Sequence, residues 1–160
     1  MSGEMREWYE LHGRRVYLYL RTLGADDDTA QELMQDTFVK AMESLRAYRG
    51  ESSVSTWLCG IARNLGLREC RRRRVRPEEL PPDLPDLRPP PDVTAEVREQ
   101  YRRLRELIDG LEESERTLLF MRTEGGLTFR EIGELIGCSE TAARVGFYRL
   151  RRRLRERLEE

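Results

Sequence analysis

The sequence is poor in the residue types that most often carry chemistry. It has one histidine, His12, and three widely separated cysteines, Cys59, Cys70 and Cys138. So sparse a set, without CxxC spacing, argues against a disulfide framework and favours buried thiols over zinc ligands. A glycine-rich phosphate loop and a nucleophile with a partner base are also missing. We therefore predict neither enzymatic activity nor a cofactor.

Long hydrophobic runs are absent as well. No stretch of the sequence approaches the ~20 apolar residues that a membrane-spanning helix requires. The first ten residues include Glu4, Glu7 and Glu10 and lack the basic-then-apolar order of a signal peptide. From these features we expect a cytoplasmic protein.

Lysine and asparagine each occur once, so arginine supplies nearly all of the positive charge. The formal net charge of −1 by itself argues against a nucleic-acid partner. However, seven arginines and one glutamate give +6 over residues 63–76, and again over residues 141–157. Residues 22–43 hold six acids and one lysine, and residues 78–99 hold seven acids and two arginines, so each segment carries −5. Because a charged patch acts within a Debye length of ~8 Å, these blocks predict separate surfaces for separate partners.

The prolines divide the chain. All seven fall between residues 77 and 91, and a helix cannot run through this stretch. We interpret residues 77–92 as an extended linker, which is either a mere spacer or a binding segment. At ~3.1 Å per residue it reaches ~50 Å. On both sides apolar residues recur at helical spacing. The predicted fold is all-α, with one helical domain over residues 1–76 and a second over residues 93–160.

The strongest local pattern is a helix-turn-helix over residues 128–150. Thr128 and Glu131 form a capping-box signature, Gly137 suits the turn, and Ser139 can cap the second helix. The predicted inward face of this second helix is Ala143, Phe147, Leu150 and Leu154. Its outward face could contact base edges or phosphates in the major groove through Glu140, Thr141, Arg144, Tyr148, Arg151 and Arg152. A helical hairpin with a solvated basic face is the alternative, but the turn, the cap and the arginines together favour DNA binding.

A second pattern runs from Trp57 to Arg76, where an apolar, aromatic half-helix continues into an arginine run. Aromatic rings can stack on unpaired bases while arginines hold phosphates. Trp57 alone is better explained as a core residue beneath the basic helix. The predicted helix from Thr29 to Leu45 has a polar face opposite its apolar stripe, which by itself indicates only a solvated surface.

Three separated motifs resemble those of the extracytoplasmic-function (ECF) sigma factors, the smallest members of the bacterial sigma family. Residues 30–38, AQELMQDTF, are similar to the family's AEDLVQETF, and residues 57–64, WLCGIARN, to its WLxxIARN. Residues 111–116, LEESER, resemble LPExxR, and residues 128–154 resemble the family's helix-turn-helix. The resemblance covers nearly the whole chain in the family's order.

The resemblance implies a sigma factor that binds core RNA polymerase and directs promoter-specific initiation. The first motif's helix would dock on the coiled-coil clamp of the polymerase β′ subunit through Glu32, Leu33, Gln35, Asp36 and Phe38. The loop of residues 48–53 and the helix after it would read and melt the minus-ten element through Tyr48, Asn64, Arg68, Arg71 and Arg72. The helix that follows Ser139 would read the minus-thirty-five element as duplex DNA.

The implied partners are the β′ clamp and β subunit of the polymerase, promoter DNA as duplex and as melted strand, and an anti-sigma factor. The acidic linker would thread the polymerase toward its active centre and RNA exit channel. Gly146 stands where the family frequently has arginine, so we expect one phosphate contact fewer. From the residues alone, two alternatives are a stand-alone helix-turn-helix regulator that binds duplex DNA as a dimer and a helical adaptor that binds only proteins.

Overall fold

The computed structural model describes residues 3–73 and 88–160, and every regular element in these ranges is a helix. This confirms the predicted all-α class. The N-terminal module consists of α1 (Gly3–Thr22), α2 (Asp27–Glu43), the short 3-10 helix Leu45–Ala47 and α3 (Val54–Arg73). The C-terminal module consists of α4 (Ala95–Asp109), α5 (Glu113–Thr123), α6 (Phe129–Ile136) and α7 (Glu140–Glu159).

The predicted linker, residues 77–92, falls mostly outside the described residues, since its positions 77–87 are among those that the structure does not describe. Residues 88–94 lead into α4, and Thr94 caps that helix by accepting a 3.3 Å hydrogen bond from the backbone N–H of Val97. Across the two described ranges, no helix combines the length and the apolar character needed to cross a membrane.

Local capping signals set the helix boundaries in the N-terminal module. Gly24 follows α1 with a φ of 102°, a conformation that favours glycine. Asp26 caps α2 by accepting a 2.8 Å hydrogen bond from the backbone N–H of Thr29. Ser53 Oγ accepts a 3.1 Å hydrogen bond from the backbone N–H of Thr56 and so caps α3 in the same way. The acidic run therefore begins, and the serine-rich loop ends, at a residue whose side chain satisfies a helix N-terminus.

The two modules pack directly against each other. α1 lies against α5, and α3 lies against α6. One continuous hydrophobic cluster joins side chains of both modules, among them Leu20, Leu58, Leu118, Met121 and Ile132. Each of these five residues is at most 5% exposed, so the contact between the modules is part of the protein's interior.

A smaller cluster fixes the position of α7. It consists of Ile108, Leu111, Phe120, Leu150 and Leu154, which come from α4, α5, α7 and the turn after α4. Because Leu150 and Leu154 lie in the C-terminal half of α7, this cluster anchors that half. In the N-terminal half of α7, Ala143 and Phe147 belong to the larger cluster, which also includes side chains of α5 and α6.

The cysteines differ in their surroundings. Cys59 is buried within α3, and burial raises the pKa of its thiol to about 12, so it is an unreactive core residue. Cys138 is exposed in the turn before α7. The expectation of a buried thiol is therefore wrong at Cys138, because a tight turn between two surface helices keeps its residues in solvent.

Candidate nucleic-acid and protein interfaces

The helix-turn-helix of α6 and α7 begins, turns and restarts where the sequence predicts. Thr128 and Glu131 form the capping box, and each side chain accepts a 3.1 Å hydrogen bond from the other's backbone N–H. Gly137 ends α6 in the left-handed region with a φ of 81°. Ser139 caps α7 by accepting a 3.0 Å hydrogen bond from the backbone N–H of Ala142. These contacts confirm the predicted motif.

Gly133 sets how closely α6 approaches the turn that follows it. A Cβ at this position would lie 2.5 Å from the carbonyl oxygen of Cys138, a distance that real Cβ atoms essentially never show. Gly133 also accepts hydrogen bonds at its own carbonyl from the backbone N–H groups of Gly137 and Cys138, at 2.8 and 2.9 Å. The angle between α6 and α7 therefore depends on glycine here.

α7 separates an inward face from an outward face. The predicted inward residues are all buried: Ala143, Phe147, Leu150 and Leu154. The predicted DNA-contacting residues are all exposed: Glu140, Thr141, Arg144, Tyr148, Arg151 and Arg152. Arg144 donates a 2.9 Å hydrogen bond to Glu140, and Arg152 donates one of 3.1 Å to Glu156. Exposed ion pairs of this kind contribute ~1 kcal/mol or less, so these guanidinium groups can exchange partners at low cost.

Phe129 of α6 packs beneath part of the outward face of α7. Its ring centroid lies 6.2 Å from that of Tyr148, 5.7 Å from the guanidinium carbon of Arg144 and 4.2 Å from that of Arg122. Tyr148 nevertheless keeps 55% of its surface exposed. The contacts with Phe129 restrict Tyr148 and Arg144 while leaving their polar ends accessible.

The outward face includes further exposed residues that were not predicted from the sequence, among them Val145 and Arg149. Val145 is 41% exposed, and Arg149 is also exposed. Val145 lies one helical turn after Thr141 and beside Arg144, so the i, i+4 spacing from Thr141 is the signal that could have identified it. The outward face therefore includes an apolar side chain among its arginines.

Gly146 lies beside α5, a contact that the sequence did not reveal. A Cβ at this position would lie 3.4 Å from a methyl carbon of Leu118 in α5. The glycine is half-buried between α7 and α5. A larger side chain at this position would therefore contact Leu118, whereas a single Cβ lies at the edge of ordinary van der Waals contact with it.

The loop between α2 and α3 lies beside an aromatic cluster. The ring centroid of Tyr48 is 4.8 Å from that of Trp57 and 5.9 Å from that of Trp8. The hydroxyl of Tyr48 donates a 2.6 Å hydrogen bond to the carbonyl of Ser52, which closes the loop. A shallow cleft beside the cluster is lined by Ala47, Tyr48, Arg49, Glu51, Ser52 and Trp57. Trp57 is half-buried, so it both packs, as the sequence favours, and borders this cleft.

The other predicted minus-ten residues follow one another along α3. Asn64, Arg68 and Arg72 are exposed, and Arg71 lies in the last turns of the helix. Arg72 also forms an ion pair with Glu69 at 2.7 Å, and 70% of the Arg72 side chain remains exposed. α3 thus presents an amide followed by cations to solvent.

Arg63, directly before Asn64, is engaged with other elements. Its guanidinium donates a 3.3 Å hydrogen bond to the hydroxyl of Tyr19 in α1 and forms an ion pair with Glu113 at the start of α5. These two hydrogen bonds raise the pKa of Arg63 against the opposing effect of its partial burial. The cation therefore connects the two modules.

A polar cluster joins α1, the start of α3 and α6. Arg15 donates a 2.9 Å hydrogen bond to Ser55 Oγ, which lies 3.0 Å from His12 Nδ1. Ser53 Oγ donates a 2.7 Å hydrogen bond to Glu131. Burial lowers the pKa of His12, and the charge of Arg15 adds to this, while Glu131 opposes both. Sequence reasoning missed this cluster because its members are far apart in the chain.

The outward face of α2 is polar, as predicted. Glu32, Gln35 and Asp36 are exposed, whereas Leu33 and Phe38 are buried and pack into the core. Gln35 and Phe38 also line a shallow, mostly apolar groove between α1 and α2, together with Met5, Tyr9, Val39 and Met42. The structure therefore brings the three predicted polar side chains together and gives the two apolar ones a packing role beneath them.

Models of known protein families match both modules of the chain. The family model described as sigma-70 region 2 matches residues 8–76, and that of sigma-70 region 4 matches residues 101–154. The chain is 31% identical over 98% of its length to the ECF RNA polymerase sigma factor SigE of Mycolicibacterium smegmatis and spans 63% of that protein. It is 30% identical over 89% of its length to the RNA polymerase sigma factor YlaC of Bacillus subtilis and spans 83% of it.

Two solved structures share the fold at low sequence identity. The sigma factor RpoE of Bartonella quintana, solved in complex with the anti-sigma factor NepR, superposes with a TM-score of 0.66 at 20% identity, covering 99% of this chain and 98% of that one. CnrH, solved in complex with the cytosolic domain of CnrY, also gives a TM-score of 0.66, at 19% identity, covering 97% of this chain and 87% of that one. These likenesses concern the fold alone.

Proposed function

The chain belongs to the ECF sigma factors, and on that premise we propose that it binds core RNA polymerase and directs transcription from particular promoters. The observation that carries the proposal is the outward face of α7. A face of exposed arginines, with Tyr148 and Arg144 restrained by Phe129, follows a capped turn in the second helix of a helix-turn-helix. That is the arrangement with which such motifs enter the major groove.

The C-terminal module, residues 93–160, would read the minus-thirty-five element. Arg144, Arg151 and Arg152 would supply guanidinium groups to guanine edges or phosphates, and Glu140, Thr141 and Tyr148 would complete the reading face. Phosphate contacts would provide much of the affinity, so binding weakens steeply as salt rises.

The N-terminal module, residues 1–76, would hold the melted minus-ten element. Tyr48 borders the cleft beside Trp57, where an unpaired base can meet an aromatic surface. Asn64 offers an amide to base edges, while Arg68, Arg71 and Arg72 would hold the phosphates of the separated strand. No covalent step is required, because trapping the unpaired bases favours the melted state.

The polymerase would bind the outward face of α2. Glu32, Gln35 and Asp36 supply its polar contacts, and the apolar groove beside Gln35 allows hydrophobic contact next to them. Leu33 and Phe38 support this face from beneath, and Phe38 also reaches the groove floor. The β′ clamp is the partner proposed for this face, with the linker, residues 77–92, passing along the polymerase and contacting its β subunit.

We also propose that the protein acts in the cytoplasm, where bacterial polymerase works, and that an anti-sigma factor controls it. RpoE of Bartonella quintana was solved with the anti-sigma factor NepR. A partner of that kind would compete with core polymerase or DNA for one of the faces described above.

In vitro transcription tests the proposal. Purified bacterial core polymerase transcribes a genomic promoter library with and without the protein, and discrete start sites that require the protein are expected. A variant with Arg144, Arg151 and Arg152 all replaced by alanine should lose those start sites, whereas Arg102→Ala, on α4, should retain them.

Each competing function predicts a different result. Specific, dimeric duplex binding without any association with core polymerase would establish a stand-alone regulator instead. Function that survives the triple arginine replacement would indicate an adaptor that binds only proteins. Either result would overturn the sigma-factor assignment.

A further inference from the structure

The outward face of α7 contains an acidic side chain that a purely electrostatic contact with DNA would not include. Glu140 is the one carboxylate among the six residues of α7 that the sequence predicts to contact DNA. It is exposed in the first turn of the helix, and a carboxylate there repels the phosphates of an approaching duplex. A favourable contact between Glu140 and DNA therefore requires a hydrogen-bond donor on a base edge, because an ionised carboxylate only accepts.

Glu140 and Arg144 are held together one helical turn apart. Arg144 donates a 2.9 Å hydrogen bond to Glu140, and the side chains remain 48% and 52% exposed, respectively. Phe129 lies beneath Arg144, with its ring centroid 5.7 Å from the guanidinium carbon. Ser139 caps the start of the helix. The pair thus presents a donor and an acceptor side by side, in the part of a recognition helix that contacts base edges.

This order of groups matches one base pair. Across the major groove a G·C pair presents two neighbouring acceptors, N7 and O6 of guanine, and then the N4 amine donor of cytosine. O6 and N4 are joined by a Watson–Crick hydrogen bond and so lie ~2.9 Å apart, which is also the separation of the Arg144 nitrogen from the Glu140 oxygen. An A·T pair places its donor between two acceptors, so it offers an arginine no two neighbouring acceptors.

We propose that Glu140 and Arg144 together read a single G·C base pair of the minus-thirty-five element. Arg144 donates to N7 and O6 of the guanine, and Glu140 accepts the groove-facing N4–H of the cytosine while it keeps its hydrogen bond to Arg144. A guanidinium has five N–H donors and a carboxylate has about four acceptor positions, so all of these contacts can be made at once. Glu140 is then a specificity-determining residue. This inference rests on the proposed function, because it names the base pair that the outward face of α7 reads.

Stabilisation of α7 alone is the competing role for the pair. A carboxylate in the first turn of a helix and an i, i+4 ion pair both favour the helical state. If the pair had only this role, Glu140→Ala would weaken binding to every promoter by the same factor, because no base would be contacted. Discrimination between base pairs therefore separates the two roles.

Base analogues in promoter DNA test the contacts atom by atom. The element is located from the start sites that the holoenzyme produces, and each of its G·C pairs is replaced by one that contains an analogue. 7-Deazaguanine lacks N7, and N4-methylcytosine carries a methyl group in place of the groove-facing N–H. At one G·C pair, wild-type holoenzyme should bind each analogue about fivefold more weakly. Arg144→Ala should lose the response to 7-deazaguanine, and Glu140→Ala should lose the response to N4-methylcytosine.

Glu156→Ala is the matched control. Glu156 forms an i, i+4 ion pair with Arg152 at 3.1 Å near the other end of α7, so this variant also removes a carboxylate from an exposed pair, and it should retain both responses. The proposal is overturned if no G·C pair responds in the wild type, or if Glu140→Ala still responds to N4-methylcytosine as the wild type does. Start sites that require the protein, measured with the same holoenzyme, distinguish this failure from a failure of the proposed function, which would produce none.

Discussion

Ser53 and Glu131, 78 positions apart in the chain, join two helix N-termini through one carboxylate. One oxygen of Glu131 accepts a 2.7 Å hydrogen bond from the hydroxyl of Ser53, which caps α3. The other oxygen accepts a 3.1 Å hydrogen bond from the backbone N–H of Thr128, where α6 begins. Partial burial acts to raise the pKa of Glu131, but these hydrogen bonds and the charge of Arg15 outweigh it and lower the pKa. The carboxylate therefore stays ionised and serves both helices.

Glu131→Ala should destabilise the protein by ~1–2 kcal/mol, because it removes a capping-box acceptor and leaves the Ser53 hydroxyl without this partner. Glu131→Gln should cost less, since glutamine can also complete a capping box. Urea unfolding of the full chain measures both values. Glu134→Ala, one turn away and part of an exposed 3.9 Å ion pair with Arg130, is the control and should change stability by less than ~0.5 kcal/mol. Equal losses at Glu131 and Glu134 would contradict the shared-carboxylate role.

Gly133→Ala should destabilise the protein by ~1–3 kcal/mol, because the added Cβ would collide with the backbone carbonyl of Cys138. Gly60→Ala is the matched comparison, because a Cβ at Gly60 in α3 meets nothing within 4 Å. There the same replacement should stabilise the protein by ~0.5–1 kcal/mol, since alanine loses less backbone entropy on folding. Thermal unfolding measures the change in stability of both variants. If Gly133→Ala leaves stability unchanged, the turn can shift to accommodate the added Cβ.

His12 should make the folded protein less stable at acid pH. Burial, followed by the charge of Arg15, lowers the pKa of His12 below its ordinary 6.5. The folded state therefore binds a proton less readily than the unfolded state, so stability falls as the pH drops below about 6.5 and stops changing below the lowered pKa.

His12→Asn removes this titration. The melting temperature of the wild type should therefore fall more than that of the variant between about pH 7.5 and pH 5.5. Arg15 and Glu131 face His12 and remain charged throughout this interval, so they do not account for the difference. If the melting temperatures of the two proteins fall by the same amount over this interval, His12 does not sense pH.

The sequence was sufficient to predict features that depend on local signals. The capping box at Thr128, the left-handed Gly137 and the inward face of α7 each follow from residues within a turn or two of one another, and the structure confirms them. The contact between the modules could not be predicted in this way. Ser53 and Glu131 carry no joint signal in the sequence, because each residue already has a local capping role.

The protein interior contains a second feature that could not be predicted from local signals in the sequence. Arg116 is fully buried, and its guanidinium donates a 2.8 Å hydrogen bond to the carbonyl of Leu111. In the sequence it is one more arginine in a chain where arginine supplies nearly all of the positive charge. Composition places such residues on the surface, and only the packing of α5 between the other helices reveals the exception.

Val145 should contribute to minus-thirty-five specificity by contacting a thymine methyl group. It is 41% exposed on the face of α7 that also carries Thr141 and Arg144. An apolar side chain offers no hydrogen bond to a base edge, and the thymine methyl is the apolar group that the major groove presents. Burying one methyl is worth ~0.8 kcal/mol, or about fourfold in affinity.

Replacing thymine by uracil at single positions of the minus-thirty-five element removes only that methyl group. Holoenzyme with wild-type protein should bind about fourfold more weakly at one such position. Holoenzyme with Val145→Ala should bind the thymine and uracil promoters almost equally, because the variant has lost the contacting methyl groups. If both proteins lose affinity to the same extent, the methyl contacts another residue, and the exposure of Val145 has no part in reading the sequence.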